Sequence, residues 1–209
     1  ASEQMALTER VAVPEVAVNF PDTFKVEEDG NITGFRSKGF FIAFNEETGK
    51  LTSLRYAGKD MIYNNEGFNF NWYRSINNDK RQFLPTTIKK DAFAWYVSDD
   101  GKSVQVEVRQ TAEVGKGNRV VTLPYKTVYT VYANGTIDMD VAFTTNEKFN
   151  LPRLGLVVSL NPDLEELAWY GRGPMENYWD RKNAAYVGLY KNTVSGMEEA
   201  YVRSQTMGN

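Results

Sequence analysis

The chemistry open to this chain is limited first by what it lacks, because its 209 residues include no histidine and no cysteine. Without imidazole or thiol groups, Ser-His-Asp and Cys-His nucleophilic machinery and the usual zinc sites are excluded. Carboxylate, lysine or tyrosine chemistry and oxygen-ligated cations remain. No acidic pair has the spacing of a cation loop, so we predict neither a metal site nor a cofactor.

Aromatic, amide and charged side chains are mixed in residues 69–81, NFNWYRSINNDKR. Pyranose sugars offer C–H faces to aromatic rings and hydroxyls to polar groups, so this mixture is typical of sugar binding. The alternative is a surface loop whose aromatic residues belong to the core. The predicted substrate-binding residues are Asn71, Trp72, Tyr73, Arg74, Asn78 and Asp79.

A second dense cluster spans residues 169–181, WYGRGPMENYWDR. Its Gly-Arg-Gly tripeptide does not make a dinucleotide fingerprint, because Glu176 stands where the third glycine belongs. Glu176 and Asp180 could be read as the acid and nucleophile of a glycosidase. Two acids four residues apart beside arginines are more often ion-paired structural groups, and we favour that interpretation. We therefore do not predict that Glu176 and Asp180 form a catalytic pair.

The elements that must position these clusters are strands. Val104, Val106 and Val108 alternate with polar residues, which predicts a strand with one buried face. A hairpin is predicted where residues 126–133 and 136–144 flank Asn134-Gly135, whose residues tolerate the positive φ of a type I′ turn. Residues 40–44 and 51–56 predict a further hairpin.

Few segments of the sequence predict a structure other than a regular strand with one buried face. The apolar run 154–160 fits a strand buried on both faces or a short core helix, and its valines, glycine and flanking prolines favour the strand. Helical turns are predicted only at residues 163–167 and 180–185. Residues 1–22 are interpreted as a linker or the end of a preceding domain, and residues 23–209 as one domain. The pattern predicts an all-β sandwich.

Charge excludes some partners. With 24 basic and 27 acidic residues, the chain has no field that would attract a phosphate backbone, so no nucleic acid is expected. No apolar run approaches the length of a membrane span, so no membrane partner is expected. The compartment is left open, because a chain without thiols works in either redox environment.

The two clusters carry a family resemblance. Residues 169–181 resemble the Gly-x-Gly-Pro-x-Glu-Asn-Tyr-x-Asp-Arg motif in the C-terminal domain of family 2 β-galactosidases. Residues 71–79 are similar to the Asn-Phe-Trp-Arg-Ala-Pro-Thr-Asp-Asn-Asp loop of the same domain, with Asn71 and Arg74 retained and departures at Ser75, Ile76, Asn78 and Lys80. The closing SQTMGN resembles a later segment of that domain. The matching motif residues are Gly171, Gly173, Pro174, Glu176, Asn177, Tyr178, Asp180 and Arg181.

The resemblance implies a galactose-mutarotase-like supersandwich that is only part of the full domain. It also implies that both catalytic glutamates of this retaining hydrolysis lie in a separate barrel domain of the same polypeptide. The loop around Arg74 would then lie near the mouth of the galactoside site, and the motif of residues 171–181 would be mainly architectural. The partners implied are the barrel domain and the galactoside.

Three functions follow as hypotheses. The first is a non-catalytic accessory domain of a bacterial β-galactosidase, inactive when isolated. The second is a free-standing carbohydrate-binding module that stacks sugars on Trp72, Tyr73, Trp169 or Trp179. The third, an aldose mutarotase, needs an imidazole to shuttle a proton in that family, and the chain has none.

Overall fold

The computed structural model describes residues 20–73, 84–117, 119–144, 151–175, 177 and 182–198. They form two compact units. The sandwich unit holds the described residues up to Asn161, and the hairpin unit holds those from Pro162 onward. The predicted domain boundary at residues 22 and 23 stays a prediction, and residues 1–19 of the predicted linker lie outside the described part.

The described chain is built from thirteen strands and two short 3-10 turns. The strands are β1 Lys25–Asp29, β2 Ile32–Ser37, β3 Phe40–Asn45, β4 Lys50–Tyr56, β5 Lys59–Asp60, β6 Asn69–Asn71, β7 Thr86–Val97, β8 Ser103–Lys116, β9 Arg119–Tyr132, β10 Ile137–Phe143, β11 Gly155–Val157, β12 Glu166–Gly173 and β13 Tyr186–Thr193. The 3-10 turns are Lys182–Ala184 and Ser195–Met197. The predicted all-β class is confirmed.

Two antiparallel sheets pack face to face in the sandwich unit. The first has the order β1-β2-β3-β4-β5 and the second β10-β9-β8-β7. Their facing side chains form one apolar cluster, to which Phe35, Ile42 and Phe44 come from the first sheet. Val104, Val106 and Val108 come from β8 and are at most 1% exposed, as their alternation predicted. Burying apolar area between two sheets is what stabilises a sandwich.

At each end of the sandwich, a side chain of one sheet donates a hydrogen bond to a turn of the other sheet. The β9–β10 turn is held by Ser37, whose hydroxyl donates to the carbonyl of Ala133 at 2.6 Å. At the opposite end, the buried amide of Gln110 donates to the carbonyl of Thr48 in the β3–β4 turn at 3.2 Å. Gly49 of that turn has φ +71°, and a Cβ there would lie 2.5 Å from Val108 Cγ1. Glycine is therefore needed for both the backbone angle and the close approach.

The hairpin at Asn134-Gly135 is confirmed, but the predicted turn type is wrong. Only Gly135 has a positive φ, +90°, and Asn134 does not, whereas a type I′ turn needs both. The N–H of Gly135 donates to the carbonyl of Tyr132 at 2.8 Å, and the N–H of Tyr132 donates to the carbonyl of Thr136. These features are those of a type I turn followed by a left-handed glycine, the common longer hairpin loop.

Two further predictions are corrected in part. Residues 154–160 do form a strand, but it is only the three residues of β11, and Leu154 and Leu160 are about half exposed instead of buried on both faces. The predicted helical turn at residues 163–167 is wrong, because β12 begins at Glu166. The one predicted near residues 180–185 corresponds to the 3-10 turn Lys182–Ala184. The 40–44 and 51–56 hairpin is confirmed as β3 and β4.

Candidate functional site

The first part of the predicted sugar-binding cluster lies on a short strand pair of the sandwich unit. β6 pairs antiparallel with β11, placing Asn71 opposite Gly155. The chain then continues through Trp72, whose carbonyl accepts a hydrogen bond from the N–H of Arg153 at 3.2 Å. Asn71 and Trp72 are therefore held by backbone hydrogen bonds, and Tyr73 follows them directly.

Trp72 is a core residue in this structure. Its side chain is 5% exposed and packs in a second apolar cluster with Phe70, Ala112, Val114, Leu123 and Tyr125. Its indole N–H donates to the hydroxyl of Thr86 at 2.9 Å, so the polar atom of the ring is satisfied inside the protein. A ring buried in this way has no open face on which a pyranose could stack. The geometry therefore favours a packing role for Trp72, which holds the neighbouring residues in place.

Tyr73 and Asn71 lie at the margin of this cluster. The ring of Tyr73 meets that of Trp72 edge to face, with centroids 5.4 Å apart, and its side chain is half-buried. The side-chain oxygen of Asn71 is buried without a hydrogen-bond partner in the described part of the chain. An unmade bond of this kind costs about 1–3 kcal/mol.

The remaining predicted contact residues are Arg74, Asn78 and Asp79, and they lie outside the described residues. Their role as substrate-binding residues stays a prediction. The described structure therefore brings together only Asn71, Trp72 and Tyr73 of that set.

In the hairpin unit, one glycine of the 171–181 motif lies against a pair of packed aromatic rings. Trp169 and Tyr190 are directly opposite each other on β12 and β13, with ring centroids 5.4 Å apart. A Cβ on Gly173 would lie 2.8 Å from the ring of Tyr190, whereas one on Gly171 would have its nearest neighbour, Trp169, at 3.6 Å. Gly173 is thus required by packing, and Gly171 has ordinary space.

Polar contacts of the same hairpin are to backbone atoms. The indole N–H of Trp169 donates to the carbonyl of Arg172 at 3.1 Å. The guanidinium of Arg172 donates to the carbonyls of Lys182 and Ala185 at 3.0 and 2.8 Å, which holds the 3-10 turn against β12. These bonds support an architectural role for the described part of the motif. Pro174 follows a cis peptide bond and Asn177 is half-buried, while Glu176, Tyr178, Asp180 and Arg181 lie outside the described residues.

Five described carboxyl groups have a shifted pKa, and none is shifted in the direction that a general acid needs. A glycosidase acid needs a raised pKa, so that it holds its proton at neutral pH. Where the pKa of a described carboxyl departs from its ordinary value, it is lowered. The groups are Glu27, Asp60, Glu66, Asp100 and Glu165.

The causes are ordinary hydrogen bonds and ion pairs. The guanidinium of Arg36 lowers the pKa of Glu27, and Lys50 followed by Asn69 lowers the pKa of Glu66. Burial by itself would raise the pKa of Asp60, but hydrogen bonds from Ser53, from the N–H groups of residues 62 and 54 and from Arg55 outweigh that effect. These are groups held ionised by structural partners.

Burial raises the pKa of two tyrosines that belong to the apolar clusters of the sandwich. Burial, and then the charge of Asp91, raises the pKa of Tyr125 to about 12. Burial also raises the pKa of Tyr129, which packs on Phe44 between the sheets. Neutral phenols in such positions are packing groups at neutral pH.

The described ranges contain neither a cluster that meets the requirements of metal binding nor a helix that meets those of a membrane span. These ranges contain no group of three or more acidic side chains arranged to hold a metal ion. None of their helices is long and apolar enough to cross a membrane.

The sequence analysis missed the structural hydrogen bonds of two residues, Thr86 and Arg172. Thr86 stands outside the aromatic cluster, and nothing in its neighbourhood marks it as the partner of Trp72 fourteen residues earlier. The sequence pattern pairs Arg172 with acidic partners, whereas its described bonds are to carbonyls. The close spacing of glycines between aromatic residues was the available signal that rings lie across this hairpin.

Comparisons with known proteins show the family of this chain. The β-galactosidase small chain family matches residues 36–209. The chain is 28% identical to a β-galactosidase of Priestia megaterium over all of its length, and 32% identical to one of Halalkalibacterium halodurans over 88% of it. A β-galactosidase of Lactobacillus delbrueckii subsp. bulgaricus is 30% identical over 93% of the chain.

In each case the chain covers only a fraction of the relative, 20%, 19% and 20% in the same order. It therefore spans about a fifth of the length of these relatives. The family match, in contrast, extends over most of this chain and includes both clusters of the sequence. The chain belongs to the β-galactosidase small chain family.

Proposed function

We propose that this chain is the accessory small-chain region of a β-galactosidase that hydrolyses terminal β-D-galactosides, and that it supplies one wall of the sugar site without cleaving the bond. The observation that carries the proposal is the family match over residues 36–209. The catalytic acid and nucleophile would belong to a barrel domain elsewhere in the polypeptide, because retaining hydrolysis needs two carboxyl groups about 5 Å apart with separated pKa values.

The contact wall would be formed around Asn71 and the residues that follow it. The buried oxygen of Asn71 lacks a donor in the described part of the chain, and Tyr73 lies half-buried beside it. Arg74 and Asp79 would add charge-assisted hydrogen bonds to sugar hydroxyls, and Asn78 would add neutral ones. Trp72 would contribute by packing in the core behind these residues and would not contact the sugar, because its ring is buried.

A replacement experiment tests the proposal. In the Priestia megaterium β-galactosidase, the region that aligns with this chain is deleted in one variant and exchanged for this chain in another. We expect the deletion to abolish hydrolysis of an aryl β-galactoside and the exchange to restore measurable turnover. Arg74→Ala in the exchanged region should raise KM more than it lowers kcat, because it removes binding and not bond cleavage. Full activity of the deletion variant would contradict the proposal.

The rival function, a free-standing carbohydrate-binding module, is tested by titration of the isolated chain. Two of its proposed stacking rings are committed to packing: Trp72 is buried, and Trp169 lies on Tyr190. We therefore expect no saturable change of tryptophan fluorescence with galactose, lactose or xylan at millimolar concentrations. Saturable binding below about 1 mM would favour the rival.

A further inference from the structure

A groove crosses the outer face of the first sheet of the sandwich unit. Its floor is a row of small residues that lie directly opposite one another on β2, β3 and β4, namely Gly34, Ala43 and Ser53. Gly34 and Ala43 alternate with the core residues Phe35 and Ile42, so they point away from the core. The cavity above this floor has a volume of about 550 Å³, within the range of ligand pockets. Because neighbouring strands are about 4.8 Å apart, a groove from β1 to β4 is about 14 Å long.

One wall of the groove is an aromatic ring held between two arginines. The guanidinium carbons of Arg36 and Arg55 lie 4.3 and 5.4 Å from the ring centroid of Phe41. A Cβ added to Gly34 would lie 2.6 Å from the edge of this ring, so the ring leans over the floor. These contacts hold the wall in one conformation, as a pre-formed site requires.

Two amide side chains line the groove and have unused hydrogen-bonding atoms. Asn45 Oδ1 accepts a hydrogen bond from the N–H of Thr48 at 2.9 Å, while its Nδ2 has no acceptor in the described part of the chain. Asn65 is exposed, and its side chain makes no hydrogen bond to any described residue. Unpaired amide donors and acceptors of this kind suit a ligand that carries hydroxyl groups.

The β1 end of the groove is acidic. The carboxylates that line it are Glu27, Glu28 and Asp29. Among the described residues lining the cavity, Arg55 is the single basic one, and it is paired with Asp60 at 3.2 Å. An anionic ligand would therefore be repelled from this end of the groove.

This chemistry matches a neutral oligosaccharide better than a peptide. A peptide docks by adding a strand to a sheet edge or by inserting apolar anchors into pockets. The groove lies on the face of a sheet, and the large apolar side chains among its described lining residues are only Ile32 and Phe41. A chain of pyranose rings presents hydroxyls to amides and carboxylates, and C–H groups to an aromatic ring.

We propose that this groove is a further carbohydrate site, which binds a neutral oligosaccharide across β1 to β4 through the side chains of Asn45 and Asn65 and the ring edge of Phe41. The site goes beyond the proposed function, because none of its lining residues belongs to the wall around Asn71. It is also separate from the stacking rings of the rival function, since no tryptophan lines it.

A nuclear magnetic resonance titration of the isolated chain tests the site with two neutral compounds, galactotetraose and cellotetraose. We expect at least one of them to shift the backbone amide signals of Gly34, Ala43 and Ser53 saturably at millimolar concentrations, and to leave the indole signal of Trp72 unchanged. Trigalacturonate should cause no such shift, because it is repelled by the carboxylates at the β1 end. The absence of a saturable shift with both neutral compounds, or equal binding of trigalacturonate, would overturn the proposal.

Matched pairs of variants identify the contacts. Asn65→Gly removes the amide and supplies a residue that adopts a positive φ, here +57°. Asn64→Gly makes the same change at φ +52° on a residue that does not line the groove. Asn45→Asp keeps the oxygen that accepts from the backbone and loses the donor, and Asn134→Asp does the same in the β9–β10 turn.

The first member of each pair should weaken binding about five- to tenfold, the effect of one lost hydrogen bond, and the second less than about twofold. Equal effects of Asn65→Gly and Asn64→Gly would overturn the proposal.

Other occupants of the groove would give different results. A dimer in sedimentation that Asn65→Gly dissociates would assign this face to a second copy of the chain. Floor signals that shift at lower concentrations of tetralysine than of either tetrasaccharide would assign it to a basic peptide. Each of these two results would overturn the proposal, and we expect neither.

Discussion

The phenol of Tyr56 donates a hydrogen bond to the carbonyl of Gly135 at 2.7 Å, across the two sheets of the sandwich. Tyr56 is the last residue of β4, and Gly135 is the left-handed glycine of the β9–β10 turn. The ring of Tyr56 also packs on Phe40, with centroids 5.1 Å apart. The side chain of Tyr56 thereby joins the first sheet to the β9–β10 turn of the second sheet.

Removing this hydroxyl should weaken the sandwich modestly. Tyr56→Phe keeps the ring on Phe40 but leaves the carbonyl of Gly135 without this donor, so we expect the free energy of unfolding to fall by about 1 kcal/mol. Urea denaturation followed by tryptophan fluorescence measures it. Tyr96→Phe is the control, because Tyr96 is 60% exposed and bonds only its neighbour Asp99 in the described structure. Equal losses in both variants would contradict the role given to Tyr56.

Stability should fall at alkaline pH. Burial raises the pKa of Tyr125 to about 12, from an ordinary value of 10.0. Above pH 10 the unfolded chain releases this proton while the folded chain keeps it, so the contribution is complete below pH 10 and is lost as pH rises toward 12. We expect the free energy of unfolding to decline over pH 10–12. Tyr125→Phe should reduce that decline, with the remainder due to other buried tyrosines such as Tyr129, and an unchanged slope in the variant would argue against the assignment.

The loss of stability at acidic pH should depend in part on Asp60. Its pKa is lowered in the fold despite burial, because Ser53 and three other donors stabilise the carboxylate. The stabilisation is therefore present above the ordinary value of 3.8 and is lost as pH falls through the lowered value. Asp60→Asn should reduce stability at pH 7 by about 1–2 kcal/mol and weaken its dependence on pH below 4. A variant that keeps the full acid dependence would show that other carboxyl groups are responsible.

The two motif glycines should respond differently to a methyl group. Gly173→Ala forces a Cβ to within 2.8 Å of the Tyr190 ring, and we expect a loss of about 1–3 kcal/mol with a change in Trp169 fluorescence. Gly171→Ala meets its nearest neighbour at 3.6 Å, and it should cost less than about 1 kcal/mol. Equal losses of stability in the two variants would show that the contact with Tyr190 is not the reason for a glycine at position 173.

How far the sequence predicted these features depends on how local each one is. The alternation of Val104, Val106 and Val108 predicted both the strand and its buried face, because side-chain direction in a strand has a period of two. The turn at Asn134-Gly135 was placed correctly, but its type depends on whether Asn134 also takes a positive φ, and Asn-Gly fits either outcome. Local sequence determined the position of the turn and not its backbone angles.

The candidate site shows the same limit more strongly. The composition of residues 69–81 marked Trp72 as part of a polar aromatic cluster, yet its ring packs against Ala112 and Val114, which are far away in the chain. Whether an aromatic ring faces a sugar or a core is decided by such long-range contacts. The pairing of Trp72 with Thr86 joins residues in different elements and had no local sign.

Whether this chain cleaves a glycosidic bond by itself is decided by turnover of an aryl β-galactoside, measured with the isolated 209-residue chain. The assay is run at high protein concentration and over about pH 5–8, the range in which a glycosidase acid and nucleophile act. We predict a rate equal to that of buffer, because the groups that cleave the bond would belong to another part of the polypeptide. Turnover above buffer that disappears on substituting a carboxyl group of this chain would contradict the accessory role.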